Sequence, residues 1–381
     1  MIKLNKLSVG PIIQVGQAAP ASSNGVAKTI HEYLTRLHSS DWSVENWVFD
    51  CRVNRPTRGT YDGKITQWRL PVASQLTPML PQITREWLNL RKKENPKIHL
   101  HSVFTPHNNA LAEILGRSFL VTPNGGWQPR VLLGRRILLK LFWILIWEQR
   151  LWRKASFVCA VSKAEMKNLQ KLPGMSRVVY TPNAVDVLSN NYQRDGYWLF
   201  LGRLAVDQKG IDQMIGAYGV LKAQGMRPPA MLLAGPDFRD GRRRMQAMVS
   251  SLGLSADVKI LEEVTGPAKE RLLQGAAVFC HTSRWEGIPH AVLEALAHGI
   301  PCLLTKETNL GLEVAQAGAG WCCPQGEKSI ARAMQRILAE SRKLPSRSVS
   351  ARTFVDRHFG WLPTMRTLET CYRDILKSCK N

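Results

Sequence analysis

No stretch of this 381-residue sequence is apolar enough, for long enough, to cross a bilayer. The longest run, Ile137 to Trp147, is broken by Lys140 and falls short of the roughly 20 residues that a spanning helix needs. The opening MIKLNKLSVGPIIQVGQ lacks the apolar centre and cleavage pattern of a secretory leader. These absences predict a cytoplasmic chain, peripheral on the inner membrane face if it meets a membrane at all. The eight cysteines form no Cys-x-x-Cys pair and no Cys/His cluster, which argues against structural zinc. Several, such as Cys280 in AAVFCHTS, lie inside apolar runs, the setting of buried reduced thiols. No repeat is visible and no Asp-x-Asp pair offers itself to a metal, so neither metal nor cofactor is predicted. Acidic residues are scarce, 29 against 52 Lys and Arg, for a net charge of +23. Residues 1–190 hold the larger excess, 26 basic against 11 acidic. Such a field favours nucleic acid, acidic membrane or phosphorylated substrates. No zinc finger, RNA-recognition signature or arginine-rich tail accompanies it, so a basic nucleic-acid-binding protein is the weakest of these readings.

The length is enough for two domains, each with its own core. Short apolar runs alternate with amphipathic stretches throughout. In the second half, strands are predicted at Tyr197–Leu201, Ala230–Ala234, Val258–Leu261, Val278–His281 and Pro301–Leu304, with helices over 209–223, 240–252, 267–275, 289–298 and 328–340. In the first half, strands are predicted at Leu7–Val15, Val44–Phe49, Ile65–Leu70, Ile98–His101, Phe119–Thr122, Phe157–Val161 and Val178–Tyr180. Helices there fill 26–38, 79–93, 107–115, 131–153 and 162–170. Apolar strands of about five residues alternating with helices predict α/β domains whose parallel sheets are covered on both faces. The turn-rich 183–196 predicts a linker, giving domains 1–188 and 189–362, with a last helix near 363–381 packing back on the first. Ligands of such sheets bind outside the carboxyl ends of the strands.

The strongest such place is SRWEGIPHAVLEALAHGIP, Ser283 to Pro301. Pro289 suits the first helical position, and Gly299 suits the cap beyond the last. The helix start offers backbone N–H groups and a positive dipole end, which suit phosphate or sugar hydroxyls. Glu286 and Glu294 bracket it, at most roughly 12 Å apart along the backbone, and carboxylates accept paired hydroxyls well. A solvated loop glutamate and an ordinary helix glutamate are the bland alternative. A second place is FLGRLAVDQKGID, where Gly202 permits close backbone approach and Arg203 and Lys209 flank a short loop. Two cations at a strand end make a diphosphate clamp, although in so basic a chain a solvated surface stays equally open. A third, AMLLAGPDF, turns at Gly235 and Pro236, as a plain tight turn or a ligand contact.

In this order GRL…KG (202–210), LAGP (233–236) and EGIPHAVLEA (286–295) resemble the retaining family 4 glycosyltransferases of the GT-B fold. AVSKAEMKNL (160–169) and TPNAVD (181–186) extend the likeness over most of the chain. The resemblance implies two Rossmann-like domains facing across a cleft. It assigns the diphosphate to Arg203 and Lys209, donor sugar hydroxyls to Glu286, and ribose hydroxyls to Glu294. Gly287, Ile288 and Pro289 would line the sugar pocket, and Glu263 and Val264 would lie near the base. Relatives carry a double glycine after the first strand; Asn24 and Gly25 stand there, and Asn tolerates the left-handed conformation. Where many relatives have a loop histidine, this chain has Asn124 followed by Gly125 and Gly126. His101 and His107 are alternative polar groups, although each taken singly reads more simply as a satisfied structural histidine.

The resemblance implies a hexosyl transfer from a UDP- or GDP-sugar with retained configuration, the departing phosphate taking the acceptor proton. Losing Arg203 or Lys209 is expected to lower turnover far more than stability. The segment 122–152 is similar to relatives that build bacterial surface polysaccharides, which with the basic first half implies a glycan or lipid-linked acceptor. Within Gly134 to Lys154 the apolar centre 141–147 predicts burial, with flanking arginines left to meet anionic lipid. A nucleotide-sugar 2-epimerase of the same fold is the rival enzyme. Epimer formation without acceptor would favour it.

Overall fold

A computed structural model describes residues 10–378, apart from 21–24, 41, 75–76, 78, 117–118, 125, 127–137, 139–141, 176 and 188–195. The chain divides into two compact units, Met1–Thr181 with Met365–Asn381, and Pro182–Thr364. The first unit holds strands β1 (Ile12–Val15), β2 (Val44–Asp50), β3 (Thr57–Tyr61), β4 (Ile65–Pro71), β5 (Lys97–His101), β6 (Phe119–Thr122), β7 (Phe157–Ala160) and β8 (Val178–Tyr180). Their order is β3-β4-β2-β1-β5-β6-β7-β8. Only the β3–β4 pair is antiparallel. The helix Trp361–Ser378 ends in this unit, where the Tyr372 hydroxyl accepts from Gln14 Nε2 at 3.0 Å and meets His99 Nδ1 at 2.9 Å.

The second unit is all-parallel. Its strands are β9 (Tyr197–Leu201), β10 (Met231–Ala234), β11 (Val258–Leu261), β12 (Ala276–His281), β13 (Cys302–Thr305) and β14 (Gly320–Cys323), in the order β11-β10-β9-β12-β13-β14. The period of two is visible in the packing. Trp198, Phe200, Val278, Cys280 and Leu303 enter one apolar layer; Leu199, Leu201, Phe279, Cys302 and Leu304 enter the other. Helices Ile211–Ala223 and Glu327–Ala339 cover the first layer, and His290–Ala297 and Leu344–Phe359 cover the second. Strands buried on both faces in this way have no polar side to offer. That is why they read as continuous apolar runs.

Several elements differ from expectation. The single helix over 209–223 is two, Val206–Lys209 and Ile211–Ala223, because Gly210 adopts φ +62 between them. Pro289 is the residue before helix His290–Ala297, its ψ of 120 placing it outside. Edge strand β3, strand β14 and helix Leu344–Phe359 were not anticipated. Most sharply, the described part of the apolar centre 141–147, residues 142–147, is not a buried core. Phe142 and Leu145 are 63% and 64% exposed, as is Leu138 at 78%. The π-helical turn Ile144–Glu148 directs Glu148 inward, where its carboxylate accepts from the Phe104 N–H at 2.7 Å, and the core below is filled by Leu151 and Trp152. Residues 7–9, most of 131–141 and residues 188–195 of the expected linker lie outside the described residues.

Candidate functional site

In the second unit the strand order reverses between β9 and β12, so the loops leaving those two strands part company at their carboxyl ends. The loop after β9 runs from Gly202 to Gly210, and that after β12 from Thr282 to Pro289. Gly210 brings them together. A Cβ on it would lie 2.2 Å from the Thr282 carbonyl oxygen, so only glycine permits both this approach and the positive φ. Thr282 Oγ1 donates to Gly210 O at 3.1 Å, and the Arg284 N–H donates to Gln208 O at 2.7 Å. Arg284 then reaches across with a forked pair onto Asp212 at 2.9 and 2.7 Å. Gly202 and Gly235 both take φ +153, and a Cβ on Gly235 would strike Gly202 O at 2.0 Å.

The product of this stitching is an ion pair between Lys209 and Glu286, with side chains only 12% and 10% exposed. The same oxygen, Glu286 Oε1, accepts from Ser283 Oγ at 2.9 Å and faces His281 Nε2 at 3.2 Å. Burial alone would push the Glu286 carboxyl up; the Lys209 charge and the His281 hydrogen bond outweigh it and hold the group at about 2. Burial pushes His281 below its ordinary value, so it stays neutral at pH 7 and donates only as the Nε2–H tautomer. Glu294, on helix His290–Ala297, pairs with Lys269 from helix Gly266–Gly275. Arg203 is exposed, lies 4.9 Å over the Phe238 ring and donates to Gln208 Oε1 at 3.2 Å. Gly287 and Ile288 are held from behind: Asn309 Nδ2 donates to Glu286 O at 2.6 Å, and Asn183 Nδ2 to Ile288 O at 3.2 Å. Glu263 is exposed and Val264 half-buried in the loop after β11.

His281, Ser283, Arg284, Lys269 and Asn309 escaped the sequence reading. Their partners are loop residues or lie on other elements, and no local spacing announces them.

In the first unit, Asn24 and Gly125 lie outside the described residues. Gly25 opens helix Gly25–Ser39. Asn124 follows β6 at φ +54, its Nδ2 donating to Thr122 O at 3.1 Å. His101 is 4% exposed, stacks on His99 at 4.3 Å and bonds Gln14 Oε1 through Nε2 at 2.9 Å. Burial pushes it down to about 3, so the expected acceptor-facing histidine is a neutral member of a buried polar network. His107 is also buried and donates to Ser74 O at 2.9 Å. Among the described residues, no group of three or more His, Cys, Asp or Glu side chains could hold a metal ion, and no helix is long and apolar enough to cross a membrane.

Two Rossmann-like units of this kind make up the GT-B fold. The same fold is found in sucrose-phosphate synthase from Thermosynechococcus elongatus (18% identity, TM-score 0.73, covering 97% of this chain and 100% of that one). Anabaena HepE in complex with UDP and glucose is similar as well (16%, 0.69, 98% and 100%). So is WaaG, a glycosyltransferase involved in lipopolysaccharide biosynthesis (14%, 0.67, 94% and 99%). The profile for Glycosyltransferase Family 4 matches residues 23–187, and that for Glycosyl transferases group 1 matches residues 188–352. The two matches together span residues 23–352, and the chain is a GT-B glycosyltransferase of the family 4 type. A comparison with curated protein sequences returns no match.

Proposed function

We propose that this enzyme moves a hexosyl group, with retained configuration, from a UDP- or GDP-sugar onto a glycan or lipid-linked acceptor in cell-surface polysaccharide assembly. The observation that carries the reading is the Lys209–Glu286 pair at the carboxyl ends of β9 and β12. Cleaving the sugar–phosphate bond builds negative charge on the β-phosphate and positive charge on the anomeric carbon. Lys209, Arg203 swinging from Phe238, and the start of helix His290–Ala297 would stabilise the phosphate, where preorganised charge acts most strongly. Glu286 would hold sugar hydroxyls. Glu294 would exchange Lys269 for the ribose hydroxyls. The departing phosphate oxygen would take the acceptor's proton on the same face, which requires no histidine in the loop of Asn124.

HepE in complex with UDP and glucose supports a nucleotide-sugar donor. WaaG supports the surface-polysaccharide setting. The exposed Leu138, Phe142 and Leu145, with the exposed Arg150 nearby, support contact with an anionic membrane surface bearing the acceptor. The donor reading is tested by thermal denaturation with UDP-glucose, GDP-mannose and ADP-glucose. A donor at 100 times its Kd adds about 2.7 kcal/mol of apparent stability. No shift with any of the three at millimolar concentration would overturn the reading.

A further inference from the structure

We propose that His281 is a positioning residue for Glu286, keeping that carboxylate in place as an anion while the donor diphosphate engages Lys209. The inference rests on the reading of Glu286 as a donor contact.

Three groups donate to one oxygen, Glu286 Oε1: Lys209, Ser283 and His281. They are not equally committed. Lys209 is the cation a β-phosphate would claim, so donor binding draws it from the carboxylate. The Ser283 hydroxyl rotates about a single bond and can turn to a sugar hydroxyl. His281 has nowhere to go. It is 1% exposed, and its ring lies nearly parallel to Phe200 (5.6 Å, 14°) and to Phe279 (6.1 Å, 12°). Its Nδ1 has no partner among the described residues, so the ring's polar engagement is the Nε2–H aimed at Glu286.

Packing alone does not ask for an imidazole here. The strand reads AAVFCH, and a ring stacked near two phenylalanines would be apolar if filling space were its task. Burying a polar ring is unfavourable unless a hydrogen bond compensates, and the bond to a carboxylate is such compensation. The ionisable groups facing His281 are Lys209 and Glu286. Burial, helped by the Lys209 charge, holds the ring below its ordinary value, and its fixed N–H donates to the carboxylate without competing with Lys209 for the phosphate. When Lys209 moves to the diphosphate, Glu286 therefore keeps this rigid anchor and stays aimed at the sugar.

The test compares the Kd of the tightest-binding of UDP-glucose, GDP-mannose and ADP-glucose with that of UDP, GDP or ADP alone, by calorimetry. His281→Met should weaken the nucleotide-sugar on the order of tenfold, as expected for one hydrogen bond to a charged group, and leave the bare nucleotide within about twofold. His281→Gln carries an N–H as far from the backbone as Nε2 and should restore affinity. His281→Asn presents its N–H nearer the backbone and should not. If His281→Met does not fold, the Gln and Asn variants carry the comparison. Full nucleotide-sugar affinity in Glu286→Gln would remove the donor reading of Glu286, and the His281 proposal with it. Affinity lost in Glu286→Gln but kept in His281→Met, or no rescue by Gln, would overturn the His281 proposal alone.

Discussion

At the scale of single residues, the two cations proposed for the diphosphate stand in different settings, and that separates their mutants. Arg203 is exposed and rests on Phe238, so Arg203→Ala should lower turnover about 100-fold while unfolding free energy changes by less than about 0.5 kcal/mol. Lys209 is paired in a largely buried site, so Lys209→Ala should cost both turnover and about 3 kcal/mol of stability, by leaving Glu286 uncompensated. The expectation that turnover falls far more than stability is therefore kept for Arg203, and for Lys209 both are expected to fall. The pH signature follows from the same pair. Glu286 is held at about 2, below its ordinary 4.5. Its contribution is thus complete above pH 4.5 and disappears as pH falls toward 2. In Lys209→Ala that acid limb should move to higher pH, which urea titrations at stepped pH would detect. The identity of Glu286 and Lys209 was legible from the motifs, but their direct contact was not. Seventy-seven positions separate them, and Gly210 against Thr282 is what closes the gap.

At the scale of elements, most apolar strands were easy to read, although the buried GWCC of β14 was missed; the polar edge strand was not. β9, β11, β6 and β8 lie where their apolar runs predict, because burial on one or both faces leaves a hydrophobic signature. β3 is TRGTY on an outer edge and exposed along almost its whole length, so composition gave no sign of it. The apolar run 141–147 shows the reverse failure. It was read as core, yet Phe142 and Leu145 face solvent, because the π-helical turn and buried Glu148 decide which side faces inward. Exposed Phe and Leu beside basic residues suit an anionic membrane. Phe142→Ser/Leu145→Ser should therefore lose co-sedimentation with vesicles of phosphatidylglycerol. Its nucleotide-sugar affinity in solution should stay unchanged. Equal sedimentation of wild type and variant would remove the membrane contact.

At the scale of the whole molecule, the chain's end is part of the first unit. Tyr372 bonds Gln14 across 358 positions and closes a buried network with His99 and His101. Tyr372→Phe leaves Gln14 Nε2 and His99 Nδ1 without that hydroxyl, and should destabilise the first unit by about 1–3 kcal/mol in urea denaturation. The charge excess also belongs to this scale, since it lies mostly in residues 1–190 and sets which partners approach. By itself the sequence determined the alternation of strand and helix, the doubly covered sheets and the motif glutamates. These depend on periodicity and caps within a dozen or so residues. Only the tertiary structure decided that Lys209 meets Glu286, that His281 lies beneath that carboxylate and that Phe142 faces outward. Those outcomes depend on strand order and on how loops pack, and no local pattern encodes either.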